Sequence, residues 1–274
     1  MGKNLFIPNI DTLVRGRKSV RTFEERSVSQ HDLEQLFDFL SKTTNPYNLS
    51  VEFKLLDGKD QKLNCPVVVG TDLYVGAKIK QISHFNEAFG YSFELLVLYA
   101  QSLGLGTVWV GGTMDRSSFE KAMRLAEDEI MPCMSPLGYP GQKMSLRETM
   151  MRKAIKADER MGFEELFFDG SFAIPLTREK AGKIAHPLEM VRLAPSAVNK
   201  QPWRVVITDN AAHFYLKRSK GFSGSTIDMQ KIDMGIALCH FNLSATEAGF
   251  APYFVLSDPG LAAEGLEYIA SYQF

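Results

Sequence analysis

Two short segments of this 274-residue chain hold the residues whose types and spacing suit chemistry. Arg15-Gly-Arg-Lys-Ser-Val-Arg21 packs four cations and one hydroxyl into seven residues. Guanidinium groups grip phosphate through two parallel N–H···O contacts, and a serine hydroxyl adds a neutral donor. A solvated basic turn is the competing explanation, and on residue chemistry alone it is the favoured one. Pro195-Ser-Ala-Val-Asn-Lys-Gln-Pro-Trp203 gathers Ser, Asn and Gln between two prolines that stiffen the backbone. A rigid polar loop of this kind presents hydroxyl and amide groups to the edge of a planar polar ligand. The plainer alternative is a helix-stop loop with Trp203 plugging the core. The two are compatible, and Trp203 suits the core better than a ligand contact.

Elsewhere the chain offers little. His31, His84, His186, His213 and His240 have no partner at motif spacing, so structural or surface roles fit each. Cys65, Cys133 and Cys239 are scattered and odd in number, which reads as buried reduced thiols in a cytoplasm rather than a disulfide framework. No metal is expected. The 12 methionines suit core packing or an adaptable substrate mouth. Net charge is −1, with 31 basic and 32 acidic side chains, which gives no electrostatic reason to expect nucleic acid or anionic membrane. No stretch approaches the roughly 20 apolar residues of a membrane span, and Met1–Ile10 lacks the pattern of a secretion signal.

These segments need elements to position them. Ser29-Gln-His-Asp32 has the form of a helix capping box, followed by Leu33, Leu36, Phe37 and Leu40 on one face. Val51–Leu56 alternates as a strand, and Pro66-Val-Val-Val-Gly70 reads as a short buried strand. Phe85, Phe89, Phe93, Leu96, Ala100 and Leu103 mark a helix ending at Gly104. Thr107–Val110 reads as a strand closed by Gly111-Gly112. Ser117-Ser-Phe-Glu120 reads as a second capping box, starting a helix to about Ala126. A helix is predicted between Leu146 and Met161, another over Pro187–Leu193, and a hairpin over Trp203–Thr208 and His213–Lys217. Met229 to Leu243 is a helix stopping at Gly249, and Pro252–Leu256 is expected to be the last strand.

The second half echoes the first. Gly90 and Gly235 lie 145 positions apart, as do Ala100 and Ala245, and Gly104 and Gly249. Glu52–Asp57 and Arg204–Asp209 each follow a helix and an Asn/Pro-containing loop. Agreement of element order and spacing points to a duplication, with halves at 1–150 and 151–274 forming one unit.

Arg17–Arg21 and Pro195–Trp203 resemble the two signature segments of the FMN-dependent nitroreductase family. Leu103–Gly112 is similar to that family's central helix end and strand, and Pro136-Leu-Gly-Tyr-Pro140 to its segment near the C-terminus. The resemblance implies an α+β fold, a central mixed or mainly antiparallel sheet flanked by helices, here internally duplicated. Family members homodimerise, with flavin at the interface taking the basic motif from one subunit and the Pro-Ser loop from the other. In this chain the first half has the basic motif, but its loop is Thr43-Thr-Asn-Pro-Tyr-Asn48, a poor match. The second half has the good loop, but Pro175–His186 lacks the Arg-x-Ser-x-Arg pattern. The chain thus resembles a smaller group of fused, pseudo-dimeric nitroreductase-like proteins with one intact FMN site, either monomeric or a weak homo-oligomer.

By the same resemblance, Arg17, Lys18 and Ser19 would hold the FMN phosphate and ribityl chain, and Arg21 would reach the N1/C2-carbonyl side of the ring. A cation there stabilises anionic reduced flavin. Gly111 and Gly112 would lie against the ring near N5, where a side chain would obstruct. Lys143 and Arg147 are candidates for further phosphate contacts, and Pro195, Ser196 and Asn199 would reach the cofactor from the other half. The implied activity is electron transfer from NAD(P)H to nitroaromatics or quinones; a catalytically silent FMN-binding sensor, carrier or scaffold is the alternative.

Overall fold

Side-chain caps and glycines set where the helices begin and end in the computed structural model of the chain, which describes residues 9–220 and 226–274. Most of the segment read for a secretion signal, residues 1–8, lies outside the described residues. The chain divides into two units, Gly16–Lys156 and residues 9–15 with Ala157–Phe274. Helix α1 (Ile10–Gly16) opens the described chain.

In the first unit, Ser29 caps α2 (Gln30–Ser41) by accepting the Asp32 N–H at 3.1 Å. The reciprocal half of the expected capping box is absent. Asp32 instead accepts the Tyr139 hydroxyl at 2.6 Å, and that oxygen accepts the Ser29 N–H at 3.3 Å, so Tyr139 bridges the box. Strand β1 (Val51–Asp57) pairs antiparallel with β2 (Leu73–Lys80), from Val51 opposite Ile79 to Asp57 opposite Leu73. Helix α3 (Phe85–Ser102) is buried along nearly its whole length and stops before Gly104, whose φ of +72° is the left-handed conformation that closes such helices. Helix α4 (Arg116–Met123) follows, and β2 also pairs antiparallel with β3 (Glu129–Ile130) and β4 (Met134–Pro136). Helix α5 (Leu146–Ala154) completes the unit. Leu56, Cys65, Tyr74, Val108, Phe119 and Met134 share one core.

Several expectations need correction here. Residues 66–70 are not a buried strand: Val68 turns back on the Cys65 carbonyl, Val69 is exposed, and a single parallel bridge joins it to Thr22. Proline at the start denies the run a ladder donor, and its apolar side chains serve a turn instead. Thr107–Val110 makes only isolated bridges, to Ser19 and to Met134. Ser117 does not cap α4; Asp115 stands at the cap, and Ser118 donates its hydroxyl to Asp115 at 2.5 Å. The α4 and α5 helices end at Met123 and Ala154, earlier than expected.

The second unit contains the short helix α6 (Phe163–Leu166), strand β5 (Phe167–Asp169), and helices α7 (Arg178–Ala181) and α8 (Ala185–Leu193). Strands β6 (Trp203–Thr208) and β7 (Ala211–Lys217) form the expected hairpin, with Thr208 opposite Ala211. Helix α9 (Met229–Glu247) ends at Gly249, whose φ is +86°. Strand β8 (Tyr253–Val255) is not the last; β9 (Leu266–Gln273) follows it and pairs with both β8 and β7. The sheet order is β5-β6-β7-β9-β8, antiparallel except for the parallel β5–β6 pair. Trp203, Phe214, Phe241 and Tyr272 are fully buried at its centre, so Trp203 is a core residue. In each unit a two-stranded antiparallel pair precedes a long helix, and a later strand returns to the second strand of the pair: β4 onto β2, and β9 onto β7.

Candidate functional site

The basic segment of the first unit is held as an extended strip. Ser19 bridges Thr107 in parallel, Val20 N–H donates to the Thr107 carbonyl at 2.9 Å, and Val69 N–H donates to the Arg21 carbonyl at 2.9 Å. Gly106 permits the close approach, since a Cβ there would sit 2.9 Å from the Val20 Cβ. Val20 is consequently buried, and Lys18 is exposed.

Arg17 and Arg21 are partly buried. Arg17 Nε and Arg21 Nη1 are buried and have no hydrogen-bond partner. Burial lowers the pKa of both guanidinium groups; Glu94 opposes this at Arg17 and Glu148 at Arg21, while the like charge of Arg152 lowers each further. Buried N–H groups are nearly always paired in folded proteins. Each arginine leaves a buried cationic donor open to an acceptor, and Arg152 is a further cation within electrostatic reach of both. This displaces the solvated-turn reading for Arg17 and Arg21, while Arg15 and Lys18 are exposed.

Helix α5 braces this strip. Glu148, 3% exposed, accepts the Arg21 backbone N–H at 3.1 Å and the Thr22 hydroxyl at 2.8 Å. Ser145 caps the helix by accepting the Glu148 N–H and donates its own N–H to the Thr22 hydroxyl, both at 3.1 Å. Arg147 donates to the Pro66 carbonyl at 2.7 Å, and Lys143 is exposed. Gly111 and Gly112 lie in an open bend, where a Cβ on Gly112 would meet nothing within 4 Å. The chain itself therefore places no steric demand for glycine at position 112. Arg116 fixes the bend by donating to the carbonyls of Gly111 (2.6 Å), Met131 (2.7 Å) and Pro132 (3.1 Å).

In the second unit, the 195–201 loop is tied largely to itself and its neighbours. Ser196 Oγ accepts the Gln201 N–H at 2.9 Å, leaving the hydroxyl hydrogen able to donate. Asn199 donates its amide to the Glu159 carbonyl at 2.9 Å and accepts from Arg160 at 3.4 Å, so its side chain shapes the loop. Pro195 lies on the partly buried edge. In the segment without the basic pattern, Arg178 pairs with Glu189 at 2.8 Å and stacks on Phe163, and Lys180 pairs with Asp169.

Sequence reasoning missed Glu94, Arg116, Glu148 and Arg152. For Glu148 a signal existed, because Ser145-Leu-Arg-Glu148 has the capping-box form; its carboxylate turns to Arg21 and Thr22 instead of completing the box. Among the described residues, no cluster of His, Cys, Asp or Glu is arranged to hold a metal ion, and no helix is long and apolar enough to cross a membrane.

Helices with a four-stranded and a five-stranded sheet make this an α+β protein, with buried cationic donors on Arg17 and Arg21 in its first unit. The family described as "Putative TM nitroreductase" matches residues 9–245, and the chain belongs to it, which places it among the oxidoreductases. Among solved structures, a Thermotoga maritima protein described as a "putative nitroreductase" shares 21% identity and a TM-score of 0.62, covering 96% of this chain and 93% of its own. That likeness shows the nitroreductase-like fold. An FMN-dependent nitroreductase from Clostridium difficile R20291 shares 15% identity over 49% of this chain and 90% of its own, with a TM-score of 0.44. A nitroreductase family protein from Clostridium difficile 630 shares 16% over 58% and 96%, with a TM-score of 0.45. No curated protein matches the chain.

Proposed function

We propose that this chain is a cytoplasmic FMN-dependent oxidoreductase that takes electrons from NAD(P)H and passes them to nitroaromatic or quinone-like acceptors. The observation that carries the reading is the pair of buried, unpartnered N–H groups on Arg17 and Arg21. The Arg17 donor suits the phosphate of FMN and the Arg21 donor an acceptor on its ring, each a buried N–H left for a ligand to satisfy.

In this reading Arg17, Lys18 and Ser19 bind the phosphate end, with Lys143 and Arg147 adding positive charge. Arg21 favours the anionic form of the reduced ring. The Gly111-Gly112 bend, fixed by Arg116, would offer backbone donors to the ring, with open space where a side chain at Gly112 would stand. Pro195, Ser196 and Asn199 contribute the second set of contacts from the duplicated half. Bound FMN would supply the redox chemistry, which explains a site without a nucleophile or an acid–base dyad. The commitment of Arg178 to Glu189 and of Lys180 to Asp169 supports a single flavin per chain.

Anaerobic addition of NADH or NADPH to FMN-loaded protein tests the activity. Bleaching of the visible flavin band within seconds, reversed by a quinone, is expected. Bound FMN that neither nucleotide reduces would favour the sensor, carrier or scaffold instead.

A further inference from the structure

Asp233 is a buried acid to which the flavin reading gives no role. It sits near the start of α9 and is 2% exposed. Its Oδ1 accepts the backbone N–H of Ala197 at 2.9 Å, and its Oδ2 has no hydrogen-bond partner.

The loop that Ala197 belongs to departs from ordinary backbone. Val198, Asn199 and Gln201 have φ values of 43°, 58° and 47°, in the left-handed region. Asparagine tolerates that region, but β-branched valine strongly disfavours it. Strained residues of this kind persist only where their surroundings over-determine them. Ser196 and Asn199 supply local ties, and Gln201 accepts the Met161 N–H at 2.9 Å. The Asp233 bond differs from these in coming from the long buried helix, the rigid element beneath the loop.

We infer that Asp233 is a positioning residue: by holding the Ala197 N–H it keeps the 196–201 loop in the left-handed form that presents Ser196 and Asn199 to bound FMN. The anchoring stands on its own; its consequence for FMN rests on the flavin reading. Without the acceptor, the binding-competent loop becomes one conformer among several, and apparent affinity falls by the fraction that remains competent.

Burial pushes the Asp233 carboxyl well above the usual carboxylate range, the Ala197 N–H opposing and Asp228 adding to that push. A carboxyl held neutral is matched in shape and acceptor capacity by an asparagine amide. Asp233→Asn is therefore the conservative replacement, and Asp233→Ala removes the acceptor.

Two measurements decide the matter. The first is hydrogen exchange at the Ala197 amide in FMN-free protein: wild type and D233N are expected to be protected, and D233A to exchange about tenfold faster or more. The second is FMN affinity by fluorescence titration: D233A is expected to bind about tenfold more weakly, with D233N restored to within about threefold of wild type. Should D233A fail to fold, D233L keeps the volume without the acceptor and carries the same expectations. Unchanged exchange in D233A or D233L overturns the anchor. Equal FMN affinity in wild type and D233A, or D233N binding as weakly as D233A, overturns the positioning role. Wild type that binds no FMN would overturn the flavin reading, while the exchange data still decide the anchor.

Discussion

Glu148 accepts the backbone N–H of Arg21 at 3.1 Å across 127 positions of sequence, so helix α5 fixes the strip that carries Arg17 and Arg21. Its second carboxylate oxygen takes the Thr22 hydroxyl at 2.8 Å, which leaves neither oxygen idle.

Replacing Glu148 with Ala strands a buried backbone N–H and a hydroxyl. Unsatisfied buried donors cost about 1–3 kcal/mol each, so E148A is expected to lose about 2 kcal/mol or more of stability, read as a lower urea midpoint at unchanged slope. FMN affinity should fall with it, because Arg21 is no longer held. E148Q keeps one acceptor oxygen and should recover part of both losses.

Arg17 predicts a different balance. Its guanidinium is buried with one donor unpaired; Glu94 attracts it and Arg152 repels it. Removing one of two attracting buried charges costs stability, while removing an unpaired buried donor offsets part of that cost. R17M should thus lower the urea midpoint of the FMN-free protein less than E148A does, while FMN affinity falls about tenfold or more through loss of a charge-assisted contact. A drop in stability with affinity intact contradicts this account of the site.

Stoichiometry follows from the unequal halves. In the first unit Asn45 is consumed by its own loop, donating to the Leu49 carbonyl and Ser92 and accepting from the Tyr47 and Leu49 N–H groups. In the second unit Arg178 is committed to Glu189 and Phe163. The expected ratio is one FMN per chain, measured as flavin absorbance against protein, with R178A leaving that ratio and the affinity unchanged.

His213 gives the second unit a pH dependence. Its Nδ1 lies 2.7 Å from Ser271 Oγ and its Nε2 3.2 Å from Thr208 Oγ1, and burial holds its pKa below the ordinary 6.5 against an upward pull from Asp258. The folded ring therefore takes up a proton at lower pH than the unfolded one. Well above pH 6.5 both forms are neutral and this contribution to stability is fully present; it declines as pH falls through that value, because the unfolded chain protonates first. Urea midpoints measured from pH 7.5 down to 5 should fall more steeply for wild type than for H213Q, which stays neutral throughout. Parallel curves would show that His213 titrates alike in both states.

Much of the fold is readable in particular residues. Ser29, Gly104 and Gly249 mark helix ends because a cap or a left-handed residue is a local requirement, and the β6–β7 hairpin is visible because Asp209-Asn210 separates two apolar runs. Strand β2 is hidden because Gly76 and Ala77 interrupt its alternation with residues that carry almost no pattern. Residues 66–70 mislead for the converse reason: three valines look like a strand but serve a turn. At the site, Arg17 and Arg21 are legible as types at a spacing. Glu94, Glu148, Arg152 and Asp233 are not, because their roles arise only when folding brings distant positions together, and nothing local to Asp233 announces the loop it supports.

Titration of FMN onto the flavin-free protein, followed by quenching of flavin fluorescence, tests the central claim most directly when wild type is run beside R17M and R21M. Saturable binding at one FMN per chain, weakened about tenfold or more in each variant, is the predicted result. Absence of binding, or binding that is indifferent to both arginines, would contradict it.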